Sequence, residues 1–159
     1  MRKAFTLIEI LTVTAIIIIF TSLTVVSFGP GRQTLALIRS THKVAQDIRK
    51  VSEMALSAKE IQGTVPPKYG LYFEENSTSY IIFADDGDNV YESGEEIEEV
   101  PLESKVKIRN SLTITFEPPD PTISISGGDE GTITLFLETD PSKQIEIKVN
   151  VFGLIDINP

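Results

Sequence analysis

The chain has no cysteine and a single histidine among its 159 residues. Without cysteine there are no disulfides, no thiolate metal sites and no cysteine nucleophile. His42 has no second histidine to join it as a ligand, so it reads as a surface residue. No G-x-S-x-G nucleophile turn and no glycine-rich phosphate loop is present. Gly127-Gly128-Asp129-Glu130-Gly131 is glycine-rich, but its two acids would repel a phosphate. Many carboxylates are available for acid–base work, yet nothing singles out two of them. The chain is therefore not expected to be an enzyme.

Positive charge is also scarce. Lys and Arg number 14 against 23 Asp and Glu, a net charge of −9. Beyond Phe28 the count is 12 against 22, so the later part is more acidic than the whole, at −10. Such a surface repels nucleic-acid phosphates. The tail Gly153–Pro159 has no cation, and only Lys143 and Lys148 lie near it. Nucleic acid is not an expected partner.

In one place charge of both signs is nearly missing. From Phe5 to Phe28 there are 24 residues with one ionisable group, Glu9. As a helix they span ~36 Å, enough for a ~30 Å hydrocarbon core. In lipid the backbone must satisfy its own hydrogen bonds, which a helix does. Thr12, Thr14, Thr21 and Thr24 can bond back to that helix. Arg2 and Lys3 precede it and fix the cytoplasmic side, placing the rest of the chain outside the cytoplasm. After the run, Ser27-Phe28-Gly29 is a poor signal-peptidase site. Glu9 is the unusual residue, because an acid in a membrane helix costs ~2.5–3.5 kcal/mol and needs a partner. No cation stands one helical turn away, and Lys3 is six residues upstream. A partner from another chain is expected.

A short basic leader, then Phe5-Thr6-Leu7-Ile8-Glu9, then an apolar helix, resembles the class III signal of type IV pilins and type II secretion pseudopilins. The resemblance covers Arg2 to about Phe28. It implies cleavage by a membrane prepilin peptidase between Ala4 and Phe5, with methylation of the new Phe5 amine. It implies that Glu9 pairs with the free N-terminus of a neighbouring subunit, so that Phe5 and Glu9 form one assembly contact. Ala4 stands where the family usually has glycine. The partners implied are the peptidase, other pilin or pseudopilin subunits and an inner-membrane assembly platform. Many pilins carry a disulfide near the C-terminus; here packing alone must hold that region.

Gly29-Pro30-Gly31 is expected to end or kink the first helix. Leu37, Thr41, Val44, Ile48, Val51, Ala55 and Ala58 then recur at three- and four-residue steps, predicting an amphipathic helix from about Thr34 to Lys59 that packs on a sheet. Gln62-Gly63-Thr64-Val65-Pro66-Pro67 breaks it. Strand patterns follow at 69–74 and 79–84 around the turn Glu75–Thr78, then at 90–92, 96–100, 105–116, 122–126, 132–138 and 145–152, with a last short one near Ile155. Lys105–Phe116 reads as one alternating strand, with Asn110 the single polar residue on its apolar face. The turns are Gly127-Gly128 and Asp140-Pro141-Ser142.

The densest acidic stretch is Asp85–Glu96. Hard cations want several close oxygens, and Asp86, Asp88, Asn89 and Glu95 are candidate calcium ligands. The spacing departs from an EF-hand, and Asp and Gly also serve simply as turn formers. Beyond this possible calcium, no cofactor is expected.

The fold expected is α+β: a long N-terminal hydrophobic helix continuing into an amphipathic helix packed on an antiparallel two-sheet β domain. The parts are a leader at 1–4, a transmembrane or filament-core helix at 5–28, an amphipathic helix at 29–61 and a β-rich region at 62–159. The strand-rich tail resembles minor pilins and pseudopilins of the GspH/FimT kind. That implies a structural filament subunit anchored in the inner membrane. The alternative is a membrane-anchored extracytoplasmic adhesion module, calcium-stabilised, with an unprocessed anchor.

Overall fold

The computed structural model describes residues 6–27, 29–119 and 122–158, with side chains undescribed for 23–27, 29 and 30. The fold is α+β, with helices α1 (Leu7–Ser27) and α2 (Gly29–Leu56) followed by strands in two antiparallel sheets. The chain divides into two compact units, Met1–Gln33 and Thr34–Pro159, and the division falls within α2.

Within the apolar run, Leu7–Ser27 form α1. Thr12, Thr14 and Thr21 each return their hydroxyl to a backbone carbonyl four residues earlier. The described α1 side chains, Leu7 to Ser22, are all exposed. Among the described residues no helix is long and apolar enough to cross a membrane.

The second helix is described over Gly29–Leu56, so helical residues lie before the predicted start near Thr34. Pro30 lies among its helical residues. Its last residue is Leu56, short of the predicted Lys59. Ala58 takes a left-handed φ of 44°, and the Lys59 N–H donates to Met54 O at 3.0 Å. That 6→1 bond closes the helix, although alanine stands where glycine is usual. The predicted apolar stripe is buried: Leu37, Val44, Ile48, Val51 and Ala55 join the core.

The first sheet has five strands in the order β3-β2-β1-β5-β6. These are β1 (Lys68–Phe73), β2 (Ser79–Asp85), β3 (Glu96–Pro101), β5 (Leu112–Glu117) and β6 (Thr122–Ile125). Alternation sends Tyr69, Leu71 and Phe73 to one face and Gly70 and Tyr72 to the other. The first set meets α2, with Tyr80 Oη donating to the Asp47 carboxylate. The second sheet runs β4-β7-β8-β9, from β4 (Val106–Ile108), β7 (Glu130–Leu137), β8 (Asp140–Asn150) and β9 (Ile155–Asn158). Its Ile133, Leu135, Ile147 and Val149 complete the same core.

Two strand predictions are corrected. Val90–Glu92 is loop. Lys105–Phe116 is two strands in different sheets, β4 and β5. Alternation persists across the break, so the pattern cannot reveal it. Asn110 sits at the crossing and bonds both ways to β7: its Nδ2 donates to Thr132 O, and its Oδ1 accepts the Thr134 N–H at 3.0 Å. The polar residue on the apolar face is thus a connector between strands. Asp140-Pro141-Ser142, expected as a turn, opens β8 beside a register shift at Phe136/Leu137.

Candidate functional site

Two places carry the predicted functional residues. Ala4 and Phe5, the proposed processing site, lie outside the described residues. Glu9 lies in the first turn of α1. Its Oε2 accepts the Thr6 N–H at 2.9 Å and the Thr6 hydroxyl at 2.8 Å. Thr6 precedes the helix, and an acid three residues later that reaches back to its N–H is half of a capping box. Glu9 therefore has a neutral hydrogen-bond partner in its own chain. The signal was legible as Thr6-Leu7-Ile8-Glu9. Among the described residues no cation pairs with Glu9, and its Oε1 accepts no hydrogen bond.

The second place is the loop between β2 and β3. The carboxylates of Asp85, Asp86 and Asp88 each bring an oxygen within 4.8 Å of the others. Of the four predicted ligands, Asp86 and Asp88 meet here, joined by Asp85. Asp85 is fully buried and acts as a turn former: its Oδ1 accepts the Gly87 N–H at 3.0 Å and its Oδ2 the Asn89 N–H at 3.2 Å. Asp88 Oδ1 accepts the Val90 N–H at 2.8 Å.

Asn89 and Glu95 are occupied elsewhere. Asn89 Oδ1 accepts from Lys68 Nζ and from the Thr115 hydroxyl, both at 2.8 Å. Glu95 accepts the Asp86 N–H at 3.2 Å and the Glu92 N–H at 2.9 Å through its two oxygens. A calcium site takes ~6–8 oxygens. Here three carboxylates converge, and one of them already has both oxygens engaged. Asp85 was missed as a member; its signal was the Asp-x-Gly spacing of Asp85-Asp86-Gly87, typical of an Asx turn.

These bonds make the loop a strap across the outer face of the five-stranded sheet. Lys68 and Thr115, which hold Asn89, stand on that face. Tyr91 stacks on Tyr72 with ring centroids 4.9 Å apart and meets the edge of Phe83 at 5.4 Å. Its hydroxyl donates to the Glu96 carboxylate, and that bond, with some desolvation, pushes the phenol up to about 12.

Two further features lie apart from these places. His42 is exposed on α2, as expected. A cleft of about 220 Å³ opens between α2 and the sheets, lined by Ile48, Arg49, Phe116, Ile123, Val149 and Ile155 among others. It is smaller than the ~300–1,000 Å³ of typical ligand pockets. Compared with family models, curated proteins and solved structures, the chain matches none.

Proposed function

We propose that this chain is a structural subunit of a type IV pilus-like or type II secretion filament, a minor pilin or pseudopilin of the GspH/FimT kind. One observation carries the reading: Arg2-Lys3-Ala4, then Phe5-Thr6-Leu7-Ile8-Glu9, then an apolar helix with one acid. A prepilin peptidase removes Met1–Ala4 and the Phe5 amine is methylated. Residues 5–28 hold the subunit in the inner membrane with its acidic part outside the cytoplasm. An assembly platform then draws the helices out of the bilayer to pack as a filament core. No resident cofactor is required.

The exposed apolar side chains of α1, from Leu7 to Phe20, support this. So large an uncovered apolar surface needs lipid or protein around it. Glu9 supplies register. The two Thr6 bonds ease its desolvation, and Oε1 remains for the Phe5 amine of a neighbour. A misplaced subunit would leave that buried charge unpaired, a loss of ~3–5 kcal/mol. Glu9→Leu is expected to enter the membrane normally yet fall at least tenfold in the sheared filament fraction, read by immunoblot. Normal incorporation of Glu9→Leu would sink the register mechanism.

A further inference from the structure

We infer that the outer face of α2 docks the β2–β3 strap of a second copy of this chain. Charge in the unit Thr34–Pro159 is divided between two sides of the five-stranded sheet. On one side α2 turns Arg39, Lys43, Arg49 and Lys50 to solvent. Lys50 pairs with Glu98 at 2.8 Å and Lys43 donates to Pro101 O, while Arg39 and Arg49 have no ion pair among the described residues. On the other side the strap presents Asp86, Asp88 and Glu92, all exposed.

Ion pairing inside the chain leaves that acidity almost untouched. Among the described residues the only carboxylates in ion pairs are those of Glu98 and Glu138. The sheet lies between the basic and the acidic face, so one copy cannot bring them together. A second copy can, by setting its strap on the first copy's helix. Each face also carries exposed apolar groups, Leu35 and Ile38 on the helix and Val90 on the strap.

The strap is preorganised by Asn89 and Tyr91, which lowers the entropy lost on docking. The contact is heterologous, using different faces of the two copies, so it can repeat from copy to copy along a filament. Exposed pairs are individually weak. Copies already held side by side need little affinity, because the effective concentration is high. In this respect the inference rests on the filament reading, and it favours runs of adjacent copies.

The lack of native cysteine gives a clean test. Gln46→Cys on the helix face and Val90→Cys on the strap are placed in one full-length chain, expressed in the cells that make it and oxidised. The sheet between them prevents an intrachain bond. The expected result is a ladder of cross-linked copies on a non-reducing gel. Adding Arg39→Glu and Arg49→Glu should cut its yield about fivefold, the scale of a few exposed ion pairs. Adding Asp86→Lys and Glu92→Lys as well should restore it, which misfolding would not do.

No ladder, or a cross-link only to a different protein, overturns the inference, as does a yield indifferent to charge reversal. Cysteines at Leu11 and Ile18 serve as the control. If these link copies through α1 while the strap pair does not, the filament reading stands and the docking contact falls. If neither pair links copies, both fall.

Discussion

At Gly70 the β1 backbone runs directly under the ring of Phe83. A Cβ there would lie 2.3 Å from two ring carbons. Phe83 is fully buried and cannot swing into solvent without uncovering Tyr91. Gly70→Ala should therefore cost ~2–3 kcal/mol in denaturant unfolding, the scale of overpacking a closed site; a change below ~0.5 kcal/mol would contradict the packing described. Tyr80 is a second such residue. Burial first, and its bond to Asp47 next, push its phenol well above the ordinary ~10. A raised folded value favours the neutral form, so its stabilisation is complete below pH ~10 and is lost as pH climbs towards the folded value. Tyr80→Phe should lose ~1–3 kcal/mol at pH 7, because a charged acceptor loses its donor. It should also flatten the drop in melting temperature between pH ~9 and ~11. An unchanged alkaline slope would show that Tyr80 does not carry it. Residues of this kind were the least legible. Nothing in the alternation of β1 says that Gly70 is overlaid by an aromatic ring, and Asn110 looked like a flaw in a strand until its two bonds to β7 explained it.

Among the elements, α2 was the most readable, because a 3.6-residue apolar period survives any choice of partner. Its ends were not, since helical residues reach back to Gly29 and the closing left-handed residue is Ala58. β1, β2 and β9 fell close to their predicted places. The strand at 105–116 failed because period-2 alternation records which side is apolar, not which sheet receives it. The β2–β3 loop was legible as acidic, but its attachment to the sheet through Asn89 and Tyr91 depends on contacts distant in sequence. That attachment leads to a prediction. With Asn89 Oδ1 and both Asp85 oxygens already used, millimolar calcium should move the melting temperature by less than about 1 °C. A saturable rise of several degrees, abolished by Asp88→Ala, would instead establish the acidic loop as a calcium site.

Across the whole molecule the two units divide the work. The first, Met1–Gln33, carries exposed apolar side chains and one capped acid. The second, Thr34–Pro159, carries the helix-on-sheet core and nearly all of the negative charge. The α+β class and the order of one helical half before many strands could be read in advance. The proposed function rests on the opening residues, where Phe5-Thr6-Leu7-Ile8-Glu9 says more than the later strands do. If this opening is cut and rebuilt into an assembly contact, the intact mass of the native protein will record it. Protein from membrane and sheared-filament fractions, sequenced by fragmentation, should begin at Phe5 with one methyl group on its amine. A chain that begins at Met1 in every fraction would contradict the account and make this a tethered extracytoplasmic module.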